Sequence, residues 1–131
     1  MDLKFLGCGS AFNPVYGNTS AYFTIGQDLY VIDAWESIFL SLYQKDLLKN
    51  VTFLITHMHA DHVGSLASII SYCFYVLEKK ITIVYPEKSL WSLLGLMGID
   101  PNAYEAVETD LFTTNESKRF IIDRIAKLQL L

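Results

Sequence analysis

Thr56-His57-Met58-His59-Ala60-Asp61-His62 contains all three histidines of the 131-residue chain. Val51-Thr52-Phe53-Leu54-Ile55, just before it, is a short apolar run of strand length. Val63 to Leu77, just after it, is an apolar segment of helical length. The motif is therefore expected in the loop between a buried strand and a helix. In an extended segment, residues two apart project to the same side. His57 and His59 then point together, while Met58 and Ala60 turn back toward the scaffold.

Two imidazoles on one side suit a single metal ion, at about 2.0–2.1 Å from each nitrogen. Where the chain turns into the helix, Asp61 and His62 face a second position. A helix N-terminus favours the Asp61 carboxylate and disfavours a protonated His62. Both effects help metal binding, which needs neutral imidazole and ionised carboxylate. Mixed nitrogen and oxygen donors suit zinc, with manganese or iron as rivals. Two ions about 3.5–4 Å apart share a hydroxide nucleophile in sites of this kind. Three histidines and an aspartate in so short a span weigh against a cluster with no metal. A Ser-His-Asp triad lacks a nucleophile-elbow setting here.

The composition narrows the class. The chain is 52% hydrophobic, above the roughly 45–50% of ordinary soluble domains, as expected of a piece that packs against another half. A membrane span needs about 20 apolar residues; the apolar run His62 to Leu77 is shorter and carries three serines. Asp2 and Lys4 interrupt any signal-peptide pattern at the start. A net charge of −4 does not favour a nucleic-acid surface, although a metal centre can neutralise phosphate locally. Cys8 and Cys73 lie too far apart in sequence to suggest a disulfide framework, so both are expected as free thiols of a cytoplasmic protein.

Taken in order, Leu3–Leu6 is expected as a strand, and Gly7-Cys8-Gly9-Ser10 as a turn. A dinucleotide-binding reading of those glycines fails, because Phe12 occupies the third glycine position and no helix follows. Thr19–Ile25 and Leu29–Ile32 are expected to form a hairpin across Gly26-Gln27-Asp28. Asp33 and Glu36 have capping-box spacing for a helix from about Glu36 to Lys49. Val51–Thr56 is the fourth strand, and the helix after the motif runs to about Glu78. Ile81–Tyr85 is the fifth strand. A helix then opens at Pro86-Glu87 and closes at Gly95 or Gly98. Asp100-Pro101 is a turn or cap. Arg119–Leu131 suits a helix, with a strand at Phe120–Ile122 as the alternative. Strands first, then alternating strand and helix, argue for a layered α/β domain.

His-x-His-x-Asp-His is the signature of the metallo-β-lactamase fold superfamily, which this sequence resembles over about residues 1–85. Phe5-Leu6-Gly7-Cys8-Gly9-Ser10, Gly17-Asn18-Thr19-Ser20, Tyr30-Val31-Ile32-Asp33 and Thr56 to Gly64 follow the order of that family's first half. The flavour is that of the ribonuclease Z and phosphodiesterase branch. The resemblance implies the first αβ half of a four-layer αββα fold, with a mixed sheet and helices on one face. It implies that His57 and His59 bind a first metal ion and that Asp61 and His62 bind a second. Asp61 is also expected to act in catalysis, and Asp33 to support the motif loop from behind the ligands. The rival reading of Asp33 is a plain helix N-cap. The family commonly has a glycine soon after that aspartate, where this chain has Ala34-Trp35-Glu36. The family completes its site with two later histidines and a bridging aspartate. This chain has no histidine after His62, and Asp100, Asp110 and Asp123 read more simply as cap, turn and surface.

The expectation is therefore a metal-dependent hydrolase, with two zinc ions in the complete site, acting on a small phosphodiester or RNA. The alternatives are a thioester or lactam hydrolase on the same scaffold, and a catalytically incompetent half that binds metal weakly and self-associates. In that last reading, strands such as Val51–Ile55 would present apolar faces to a partner.

Overall fold

Leu29 and Val31 turn one way from strand β3 (Asp28–Ile32), and Tyr30 and Ile32 turn the other. The same period of two runs through β4 (Asn50–Leu54) and its extension: Val51, Phe53 and Ile55 face one side, Leu54 the other. In β5 (Ile81–Val84), Ile81 and Ile83 face the first side and Val84 the second. Both faces of these strands are thus apolar, as expected of parallel strands covered on both sides. The computed structural model of the chain describes residues 4–7, 20–34, 38–45, 47–48, 50–56, 58, 63–113 and 119–121.

β1 (Lys4–Gly7), β2 (Ser20–Ile25), β3, β4, β5 and β6 (Tyr104–Val107) form one sheet in sequence order. β1, β2 and β3 pair antiparallel, and β3 to β6 pair parallel. Ile25 pairs with Asp28 across a two-residue turn in which Gly26 has φ +62°. Two-residue hairpin turns need a positive φ, which glycine adopts without strain. A short antiparallel pair, β7 (Leu111–Thr113) with β8 (Arg119–Ile121), stands apart from the main sheet. At residues 119–121 the strand reading is the one observed. Residues 122–131 lie outside the described residues.

Among the described residues, three helices carry the parallel crossovers. α1 (Ile38–Gln44) buries Ile38 and Leu42, one turn apart. α2 (Leu66–Tyr75) buries Leu66, Ile69, Ile70 and Cys73, the i, i+3, i+4, i+7 stripe of an amphipathic helix. α3 (Ser89–Leu96) buries Leu90 and Leu94. All these side chains join the cluster that holds Phe53 and Ile83, so the helices lie on one face of the sheet. The opposite face carries Phe23, Tyr30, Ile32, Leu54 and Val84, with Phe112 of β7 packed against them. Each fully buried large side chain contributes about 1.5–3 kcal/mol.

Several boundaries differ from the sequence expectation. α1 ends well before Lys49: Leu47 donates to the Leu42 carbonyl, a bond that wraps the last turn and sends Leu48 into the core. α2 stops at Tyr75 rather than Glu78, and Glu78 takes a positive φ of 57° as the chain reverses toward β5. Gly98, not Gly95, closes α3: it has φ +83°, and Ile99 donates back to the Leu94 carbonyl. Val51, Phe53, Leu54 and Ile55 are buried, so β4 presents no bare apolar face; the helices cover one side and the second cluster the other. The exposed large apolar residues on α1 and at the end of α2 include Leu40, Tyr43, Tyr75 and Val76. No helix among the described residues is long and apolar enough to cross a membrane.

Candidate functional site

β3 leaves the sheet at Asp33, and β4 leaves it at Thr56, side by side at the carboxyl ends of parallel strands. Ligands of open α/β sheets bind at such ends. Asp33 is completely buried, with a φ of +64°. Aspartate is among the few non-glycine residues that take this left-handed conformation, at a cost of about 1–2 kcal/mol. Three bonds offset that cost. The Asp33 backbone N–H donates to the Leu54 carbonyl at 3.0 Å. The Thr56 N–H donates to Asp33 Oδ1 at 2.7 Å, and the Thr56 hydroxyl donates to Asp33 Oδ2 at 2.7 Å. These are the short distances of hydrogen bonds to a carboxylate. Positive φ is not N-cap geometry, which is extended, so the simple capping reading of Asp33 gives way to a tie between two strands.

The far end of the motif is tied to the same place. Ser65, buried just before α2, donates its N–H to the Ala34 carbonyl at 3.1 Å. Residues 33 and 34 therefore hold both the entry and the exit of the segment that carries the histidines. Met58 packs partly buried against the helix-side core, as the alternation predicted. Val63, at the foot of α2, is buried as well. The proposed ligands His57, His59, Asp61 and His62 lie outside the described residues, as does Cys8. Among the described residues, no group of three or more His, Cys, Asp or Glu is arranged to hold a metal ion.

Asp100 and Asp110 behave as the simpler reading of each supposed. Asp100 caps a 3₁₀ turn (Pro101–Ala103), accepting from the Asn102 N–H at 2.9 Å. Asp110 is exposed in the bend before β7. Asp123 lies outside the described residues. Cys73 is a buried free thiol, its pKa pushed up to about 11 by burial against the smaller opposing pull of Lys79. Tyr85, which follows β5 at the same carboxyl edge, is held above the usual phenol range by burial first, then by the Glu87 and Asp33 carboxylates. A groove of about 410 Å³ lined by Asp28, Tyr30, Asn50, Lys80 and Phe112 opens at the amino ends of the parallel strands. It is at the wrong end of the sheet to belong to the motif.

Sequence reasoning did not find the role of Thr56. Its signal was a hydroxyl residue closing an otherwise apolar strand, directly before the first histidine, with an aspartate closing the neighbouring strand.

The mixed sheet, the one-sided helices and the strand-end loop define a metallo-β-lactamase fold. Human tRNase Z, short form, superposes with a TM-score of 0.64 at 23% identity, over 81% of this chain and 44% of the other. The metallo-β-lactamase fold protein YhfI of Bacillus subtilis superposes with a TM-score of 0.68 at 12% identity, over 86% and 48%. Within that fold, the chain belongs to the family of the anti-Pycsar protein Apyc1, whose model matches residues 1–124. It is 35% identical over 128 residues to the anti-Pycsar protein Apyc1 of Bacillus phage BSP38, and 37% identical over 131 residues to that of Bacillus phage 010DV004. Each alignment covers 90% of this chain and 50% of the relative. The chain thus spans about half the length of the curated relatives it matches.

Proposed function

We propose that the protein is a metal-dependent hydrolase of phosphodiesters, small ones or RNA, and that His57, His59, Asp61 and His62 hold its metal ions. The observation that carries this reading is the double tie of the motif segment, Thr56 to Asp33 and Ser65 to Ala34. A buried carboxylate, strained backbone and two short hydrogen bonds are spent on fixing one short loop at the carboxyl edge of the sheet. Such a loop is fixed for the groups it displays.

The donor set fits divalent ions: three imidazoles and one carboxylate, all on that loop, suit zinc, with manganese and iron as rivals. Two zinc ions are proposed for the complete site. When bound, the metal supplies an acidified water at neutral pH and charge to stabilise the developing phosphoryl oxyanion. The chain's own part is positional. Thr56, fixed to Asp33, and Ser65, fixed to Ala34, anchor the two ends of the segment whose sequence carries the proposed ligands. Placement matters because a 1 Å error can cost roughly 100-fold in rate. The sequence resembles the ribonuclease Z and phosphodiesterase branch, and the anti-Pycsar role in the relatives' name is extended here to the whole protein.

The test is metal content by mass spectrometry on the full-length protein, with turnover of bis(p-nitrophenyl) phosphate beside nitrocefin and a glutathione thioester. The phosphodiester is expected to turn over fastest. Faster turnover of nitrocefin or the thioester moves the protein to that substrate class. Stoichiometric metal with no turnover of any of the three sinks the hydrolase reading.

A further inference from the structure

Not one residue of α1, α2 or α3 is charged, although the chain as a whole is 18% Asp, Glu, Lys and Arg. The inner sides of these helices pack on the sheet. Their outer sides form the surface, where charged side chains ordinarily gather. Aromatic and aliphatic residues stand there instead. Leu40 and Tyr43, three positions apart on α1, and Tyr75 and Val76, at the end of α2, are each more than half exposed. Partly buried Tyr72 joins the two groups. Its ring meets Tyr43 edge-on at 5.8 Å and Phe39 at 5.4 Å. Tyr75 and Val76 follow Tyr72 by three and four positions, on the same stripe of the helix. The result is one patch across two helices. Single exposed apolar residues are ordinary, but a contiguous patch marks an interaction site.

We infer that two copies of the protein meet on this face, α1 and α2 of one against α1 and α2 of the other. Two tyrosines, a leucine and a valine at these exposures leave on the order of 500 Å² bare. A stable dimer takes about 800 Å² from each partner, a little over half of it apolar. The patch is therefore the size of the apolar centre of such an interface. Charge selects the occupant. A twofold contact sets the same patch of both copies face to face, so a charge within it meets its own kind. The chain carries a net charge of −4, and two copies repel wherever that charge is displayed. On the uncharged helix face they touch without that cost. An anionic membrane or a nucleic acid would call for lysines and arginines, and these helices have none. Tyrosine suits the contact, because its ring is buried while its hydroxyl reaches the wet rim.

The test is sedimentation velocity of the full-length protein over a range of concentrations, for the wild type and for Leu40→Glu combined with Tyr75→Glu. Wild type is expected to sediment as a dimer at about 10 µM and the double variant as a monomer, its association weakened at least about 100-fold by like charges brought together. Circular dichroism is expected to match, because both side chains are exposed in the single chain. A wild type that stays monomeric overturns the inference. A double variant that stays dimeric overturns it too, and moves the contact to another face. Should the double variant fail to fold, hydroxyl-radical labelling of wild type decides. Tyr75 is 69% exposed in the single chain, and its labelling in the native dimer is expected to fall several-fold below that in urea. Labelling close to that in urea overturns the inference. Protection of Tyr75 in a monomeric wild type also overturns it, and assigns the face to the rest of the same chain.

Discussion

Asp33 and Thr56 lie 23 residues apart in sequence, and the threonine donates to the aspartate twice, from N–H and from hydroxyl, at 2.7 Å each. The pair is buried, so neither bond competes with bulk water. Asp33→Ala leaves the Thr56 donors without these acceptors and is expected to destabilise the fold by about 2–4 kcal/mol. Asp33→Asn tolerates the left-handed backbone and keeps one acceptor, so its cost is expected to be roughly half. Urea unfolding of the two variants checks this order, and equal costs would mean that the carboxylate is not what the site requires.

Removing both His57 and His59 by alanine is expected to abolish stoichiometric metal while leaving secondary structure in place, because the ties at Thr56 and Ser65 do not involve these side chains. Mass spectrometry for bound metal, with circular dichroism on the same sample, provides the readout. A double variant that retains its metal refutes the ligand assignment.

Phe53 and Leu54 are neighbours on β4 that face opposite clusters, and both are completely buried. Phe53→Ala should cost about 3–5 kcal/mol and Leu54→Ala about 2–5 kcal/mol. Denaturant titration of each variant measures these costs. A Leu54→Ala cost below about 1 kcal/mol would show that the face opposite the helices is not a packed core.

Cys73 is expected to resist thiol reagents in the folded protein and to react at once in denaturant, with no reductant needed. Its folded pKa, about 11, lies above the reference value of 9.0. The folded state therefore holds the proton more tightly than the unfolded chain. The sign follows: this contribution to stability is full below pH 9 and is lost as pH rises from about 9 to about 11, amounting to about 3 kcal/mol. Cys73→Ala should flatten that part of the stability profile. An unchanged profile would assign the alkaline loss to other groups, such as Tyr85 and Tyr104, whose phenols burial also holds up.

The sequence by itself determined the period-two strands, the amphipathic stripe of α2, the Gly26 turn and the placing of the motif between a buried strand and a helix. Each of these is set by neighbours in sequence: side-chain alternation, helical spacing and a glycine that accepts positive φ. What only the tertiary structure decided depends on residues that meet across strands. The shortened α1 ends on a backbone bond from Leu47 that no side-chain pattern announces. β7 pairs with β8, and that partner, not local propensity, makes Arg119–Ile121 a strand. Asp33 had capping-box spacing in the sequence, yet its carboxylate turns to Thr56 because parallel pairing of β3 with β4 brings those two strand ends together. Capping is a local competition that the sequence can display. The tie between Asp33 and Thr56 exists only once the sheet has formed, and burial of the carboxylate is what makes the tie necessary.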